Sequence, residues 1–493
     1  MAMLRMVIVL SLIFSSVVAH ATIYTVKTSG GNFSTLQACS NTAVAGDTCE
    51  VYAGTYSGWT QSRSGTSGNR ISFIAHPGDT VTLTSDAFLS NTKFITVNGF
   101  HWSITVGRAV YAVDGAGITT SDLIISNNIV VSTTSNGNEC FYLFGDRNVL
   151  DGNECSGGGN DFSVLGGTNV VSRNNYFHDV NANTTGQHID FMQEIGGGTV
   201  PTLSFSLLEN NIEKNCTDTG VNCHFVIIRT GGNAADSNII RFNYQATIDG
   251  SGISFGGVGD NVPNNRAYNN TFANGSGPGI AENGWCMSIQ NATGSLFLNN
   301  ICYNMAQGGF SPTVGGTAPP DNGNLAYTTG YIGVWATPYS NEATYASLRN
   351  KDPLFVNLPS DARLQVASPA INGGVALTTV ASGDTGSGTT LKLTDVRFFQ
   401  PGWAGTQGDW IRIGSSTTAQ ISSINYAAST VTLTGSVSRS VGDSVYLYKN
   451  SSGTLVPLGT THYVGAFDSQ AASDTTPPTT PSGVFISQNM EKN

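Results

Sequence analysis

Through most of the chain, short segments in which apolar and polar residues alternate, rich in Val, Ile, Phe and Thr, are bounded by Gly, Asn and Ser. A period of two with such boundaries predicts strands and turns rather than helices. A slower rhythm lies over this one. An apolar residue, a variable residue and then Asn-Asn or a near relative recur, as in Ile125-Ser126-Asn127-Asn128, Leu208-Glu209-Asn210-Asn211 and Phe297-Leu298-Asn299-Asn300. The last asparagines of these phrases are Asn128, Asn153, Asn175, Asn211, Asn243, Asn270 and Asn300. Their spacing is that of one coil of a solenoid whose loops vary in length. Asparagine at one fixed turn per coil has a physical reason: it tolerates the left-handed conformation, and its amide bonds neighbouring backbone as coils stack. These asparagines are therefore read as structural.

The pattern resembles the right-handed parallel β-helix of the pectate-lyase-like superfamily, over roughly Thr22 to Gly374. The opening run Gly46-Asp47-Thr48-Cys49-Glu50-Val51-Tyr52 looks like that group's first coil, which Cys39 and Cys49 would staple. Asp352-Pro353-Leu354-Phe355 with Ser368-Pro369-Ala370-Ile371 looks like its closing segment, and Val464-Gly465-Ala466-Phe467-Asp468 like a final strand. The resemblance implies a fold, not a reaction. It divides the chain into a signal peptide at 1–21, a β-helix at 22–374, an inserted antiparallel β module at 375–459, a closing strand at 460–470 and a Pro/Thr-rich linker at 471–493. The module lacks the Asn-Asn phrase and is expected to cover an end of the solenoid, whose open edge would otherwise invite aggregation.

Composition narrows the class further. Only 11% of residues are charged, which excludes coiled coils and long helical bundles. The net charge of -11, with no basic run, excludes a nucleic-acid partner. Arg5, the apolar run from Met6 to Val18 and Ala19-His20-Ala21 form an export signal. No stretch is long enough for a membrane helix. The protein is therefore expected to be secreted, extracellular or periplasmic, and monomeric. All eight cysteines follow the signal. They allow 105 pairings, of which sequential ones suit the local contacts of a repeat fold. A metal role for them is disfavoured because no CxxC occurs.

Counting from the asparagines, His188 stands thirteen residues after Asn175 and His224 thirteen after Asn211, so the two histidines are expected on neighbouring coils. Alternation around Ile189 and Phe191 turns His188 and Asp190 towards solvent, and Arg229 ends the run that begins at His224. For a uronate polymer, removal of the proton beside the carboxylate needs a base and a cation. His188, His224 or Lys214 would be the base and Arg229 the cation, with Asp190 in the same outward polar cluster. A calcium ion held by Asp190, Glu194 and Asp218 would serve instead of the arginine. Gln193 and Trp285 are the candidate substrate contacts. Such histidines and acids are also ordinary solvated side chains on a solenoid.

The expected function is a polysaccharide lyase acting on an acidic glycan by β-elimination. A non-catalytic adhesin or glycan-binding β-helix is the alternative from another class. A glycoside hydrolase pairing Asp190 with Glu209 or Asp218 is a third, although the Asn-Thr-Asp, Asp-Asp and Gly-His-Gly phrases of polygalacturonase-like relatives are absent. Gly252-Ile253-Ser254-Phe255-Gly256 matches a nucleophile elbow but has no helix after it. A column of alternating charge, Asp151, Arg173, Glu209 and Arg241, is read as a structural ladder.

Overall fold

The recurring asparagines stack in one file. The backbone N–H and side-chain Nδ2 of Asn175 both donate to Oδ1 of Asn211 at 3.0 Å. Asn211 donates in the same way to Asn243 at 2.9 and 3.1 Å. The file runs Asn128, Asn153, Asn175, Asn211, Asn243, Asn270, Asn300 and on to Asn324, one coil beyond the sequence pattern. Each Nδ2 also reaches a carbonyl of an adjoining coil, as Asn211 does at Ser172 (2.8 Å). The residue before each amide is left-handed, with φ of 55° at Asn174 and Asn210 and 67° at Gly152. Asparagine and glycine take this region at least cost.

A computed structural model of the chain describes residues 21–469 apart from 106, 114–119, 133–138, 158–160, 181–188, 196–200, 217–222, 257–258, 276–283, 290, 307, 311–320, 328–347, 349 and 404. Its architecture is the expected parallel β-helix. Among the described residues, twelve strands from Ile23–Val26 to Asp321–Asn322 form sheet I, eleven from Gly54–Tyr56 to Leu325–Tyr327 sheet II, and eleven from Trp59–Thr60 to Gly308–Phe310 sheet III. One coil thus reads Leu207–Glu209, the Asn211 turn, Ile212–Cys216, then Cys223–Arg229. A short helix, Leu36–Thr42, is capped by Thr35 and buries Leu36 and Cys39 against the first coil. The disulfides are sequential: Cys39–Cys49, Cys140–Cys155, Cys216–Cys223 and Cys286–Cys302. The proposed signal peptide and the Pro/Thr-rich linker lie outside the described residues, save Ala21.

Two features differ from the sequence expectation. The antiparallel module, strands Thr378–Thr379 to Ser444–Lys449, lies against the outer side of sheet I and not over an end of the solenoid. Its apolar residues Leu391, Phe398 and Ile421 join Val149, Val171, Leu207 and Ile239 of sheet I in one cluster. Sheet I's outer face is apolar enough to require that cover. The alternating-charge column is buried there: Arg173 pairs with Asp151 at 2.8 Å and Arg241 with Glu209 at 2.5 Å, and Arg241 also reaches Asp409 of the module at 2.7 Å. Val464 to Asp468 is not a regular strand. It docks as extended chain through Gly465 N–H to Asn299 O at 2.7 Å, and only Ser469 forms a bridge, to Leu364.

Inside the coils, aligned side chains form files. One runs Trp102, Val130, Cys155, Phe177, Glu213, Gln245, Phe272 and Cys302. Glu213 and Gln245 are its polar exceptions: the Gln245 amide donates to Glu213 Oε2 at 2.7 Å, while Oε1 of each side chain has no partner among the described residues. Burial pushes the Glu213 carboxyl well above its ordinary value, outweighing that hydrogen bond. Glu194 is a second interior acid, aligned with Ile228 and Phe255. Among the described residues no donor meets its carboxylate oxygens in full hydrogen-bond geometry, and burial, against a weaker opposing contact from the Leu203 backbone, pushes its pKa up to about 8.

Two predictions follow from this architecture. Replacing Asn211 by Ala leaves the N–H of Asn175 without an acceptor in the interior and removes one of the acceptors of its Nδ2, and should cost on the order of 3 kcal/mol, read as a lower urea midpoint at unchanged slope. The second concerns pH. Because the folded-state pKa of Glu194 is raised, its contribution to stability is complete below the ordinary carboxylate range, declines as pH climbs, and is gone above about 8. The melting temperature should fall across that window. Glu194→Gln should flatten the fall and melt higher than the parent at pH 8. An unchanged slope in the variant would assign the dependence to other groups.

Candidate functional site

In sheet III, the strands Ile189–Ile195 and Cys223–Arg229 are parallel neighbours, with Asp190 opposite His224. Register there is held by phenylalanines on successive coils. The rings of Phe162, Phe191 and Phe225 stack at 4.7 and 4.8 Å with interplanar angles of 7° and 6°. These separations match the spacing of paired strands, roughly 4.8 Å. The residue before each phenylalanine, Asp161, Asp190 or His224, therefore falls into one column. Asp161 Oδ1 accepts the Asp190 N–H at 2.8 Å. Asp190 Oδ1 accepts both the His224 backbone N–H and its Nδ1, each at 3.1 Å. The column continues through Ser251, whose carbonyl takes the Phe225 N–H and whose Oγ takes the Trp285 N–H at 3.2 Å.

This is a buried column, contrary to the expectation that Asp190 faces solvent. Asp190 is 0% and His224 2% exposed. Its members tolerate burial because they bond one another. With Asp190 ionised, its carboxylate can only accept, which puts the imidazole proton on Nδ1 and makes Nε2 the acceptor. Among the described residues Nε2 has no hydrogen-bond partner. Burial, and after it the Asp190 charge, pushes the Asp161 carboxyl well above its ordinary value. A base held in one tautomer by a buried acid is the arrangement that proton abstraction from carbon requires.

The other sequence candidates separate. His188 and Asp218 lie outside the described residues. The structure aligns Asp190, not His188, with His224, because the lead-in from the asparagine turn is two residues longer on the earlier coil. Arg229 ends the His224 strand, half-buried, with a guanidinium N–H on the carbonyl of Gly256. Gln193 is buried on the same sheet, opposite Ile227. Trp285 is half-buried at the end of the column. Lys214 is not brought to this site: it lies on sheet II, opposite His178, with its ammonium 5.3 Å from the Tyr244 ring centre. Glu209 is likewise remote, held on sheet I by Arg241 and by Ser451 of the module, so it cannot pair with Asp190 for hydrolysis.

Of the residues expected to hold calcium, Glu194 lies in the interior file with Ile228 and Phe255, Asp190 bonds His224, and Asp218 lies outside the described residues. Among the described residues no three His, Cys, Asp or Glu side chains converge.

Sequence reasoning missed Asp161. Its signal was present: Asp161-Phe162, Asp190-Phe191 and His224-Phe225 repeat a titratable residue before phenylalanine on three successive coils. Unequal loops hid the repeat.

No protein-family model and no curated protein matches the chain. Solved structures do. A PL6-family polysaccharide lyase from Pseudopedobacter saltans is 13% identical, with a TM-score of 0.40 over 63% of this chain and 87% of its own. The pectate lyase Pel9A is 15% identical, with a TM-score of 0.38 over 74% of this chain and 94% of its own. The structure of XylC with xylose is 11% identical, with a TM-score of 0.43 over 86% of this chain and all of its own.

Proposed function

We propose that this is a secreted carbohydrate-active protein, a polysaccharide lyase that cleaves an acidic glycan by β-elimination. The observation that carries the reading is the Asp190–His224 pair, with Nε2 of His224 left as a proton acceptor. His224 takes the proton from the carbon beside the substrate carboxylate, and that C–H electron pair becomes a C=C bond. The bond to the neighbouring glycosidic oxygen breaks and the oxygen departs with its electrons, to be protonated. Four disulfides support an oxidising compartment.

A second reading has its own support. The near-complete burial of His224 and Asp190 suits a pair that only fastens coils, in a β-helix that binds glycans without cleaving them.

The two readings part in one experiment. Purified protein is incubated with pectate, alginate and glycosaminoglycans, with and without a chelator, while ultraviolet absorbance of unsaturated ends is followed. The lyase reading expects absorbance that persists with chelator, falls at least about 100-fold in His224→Ala, and is unchanged in Lys214→Ala. Retention on glycan columns with no new absorbance would replace it with the binding reading.

A further inference from the structure

The docked module creates a cleft against sheet I. A cavity of about 860 Å³ opens there, with Asp151, Asn174, Asn210 and Phe242 of the solenoid on one wall and Asn450 and Leu455 of the module on the other. This volume is in the range of small-molecule sites, roughly 300 to 1,000 Å³.

The cleft sits where a repeating contact is broken. Along the outer turn, Asn174 Nδ2 donates to Asp151 at 2.9 Å and Asn210 Nδ2 to Asn174 Oδ1 at 2.8 Å. An asparagine on the next coil would continue the line by donating to Asn210 Oδ1. Position 242 holds phenylalanine instead, in the same left-handed conformation (φ 56°) that Asn210 and Asn269 adopt at 55°. A bulky residue takes that region only at a cost. The substitution leaves Asn210 Oδ1 without a donor among the described residues. Across the cleft, Asn450 is 9% exposed; its Oδ1 accepts the N–H groups of Ser452 and Thr454, while its Nδ2 donates to nothing among the described residues. One wall thus offers a spare acceptor and the other a spare donor. Leu455, 59% exposed, supplies apolar surface beside them, over an edge of Phe242 that is only 5% exposed.

Charge narrows the ligand. Asp151 is matched by Arg173, whose remaining N–H groups reach Ser451 and the Gly405 carbonyl. Among the described residues lining the cleft, no uncompensated charge remains for a phosphate or a uronate. Vicinal hydroxyls, each both donor and acceptor, together with an apolar C–H face, are what amides beside phenyl and leucyl groups recognise.

We propose that this cleft binds a neutral saccharide, as a site separate from sheet III and independent of whether the protein is a lyase. The test is calorimetric titration of the full chain with xylobiose, cellobiose, lactose and maltose at millimolar concentrations. Asn210→Gly keeps a residue type that Gly152 and Gly323 already place at this turn and removes the acceptor. Phe242→Asn restores the missing donor and caps Asn210. Each should weaken binding of the preferred disaccharide at least tenfold while thermal melts report a folded protein. His224→Ala should bind as the parent does, and Asn210→Gly should leave any turnover of acidic polymer unchanged, which separates failure here from failure of the lyase reading. Absence of binding by all four sugars, or equal affinity in both cleft variants, would overturn the proposal.

Discussion

Every other feature of the molecule depends on the amide file at the turn between sheets I and II. A parallel sheet has no hairpin to set its register, so coils of unequal length could slip past one another. Each asparagine prevents this by accepting two hydrogen bonds from one neighbour and donating to another coil, as Asn211 does to Asn243 and Ser172. A slip by one residue would strand these groups in the interior. Because this register is fixed, coil length can vary elsewhere without disturbing alignment. The loops between sheets are therefore free to differ while Phe162, Phe191 and Phe225 still meet face to face.

Fixed register also governs which polar groups the interior accepts. A file of aligned side chains brings each residue roughly 4.8 Å from its neighbours above and below, so a polar group is tolerated where the next coil answers it. Glu213 meets Gln245, and Asp190 meets His224. Glu194 has no such answer among the described residues, and burial raises its carboxyl as it raises that of Glu213. That difference separates a carboxyl suited to orienting a base from one that only responds to pH. Asp161 stands between the cases, bonded to Asp190 through the backbone yet pushed towards its neutral form by burial.

The fold was largely legible because its determinant is local and repeated. Asn-Asn phrases announce the turn in sequence, and in the structure they form the ladder, extended by Asn324. The site was legible only in part. Asp190 was identified from alternation and His224 by counting from Asn211, and the two do meet. Counting from the asparagines paired the wrong residues, because the count assumes equal lead-in lengths and the Asp190 coil is longer. Alternation tells which side chains leave the core, but not whether something covers them, so it placed the buried Asp190 at the surface. Lys214 and Glu209 were misassigned for a related reason: a coil has three walls, and proximity in sequence does not say which wall a residue occupies.

The charge column shows how one set of residues can answer two demands. Read along the solenoid, Asp151, Arg173, Glu209 and Arg241 form alternating pairs of the kind that would sit harmlessly in water. The module changes their environment. With Arg241 and Asp409 both 0% exposed, the guanidinium bridges Glu209 and Asp409, and each carboxylate takes further hydrogen bonds, from Ser451 and Gln400. Such a buried cluster adds little net stability over an apolar contact, but breaking it is costly, because a lone charge would remain without water. Its effect is therefore on position. Apolar burial through Phe398 and Ile421 would hold the module against sheet I in several registers, whereas Arg241 and Glu209 accept only one. The coil at which this clamp falls is also the coil where phenylalanine replaces the turn asparagine. The interruption of the outer amide line and the placement of the module are consequently coupled, and the cleft between them is a product of both.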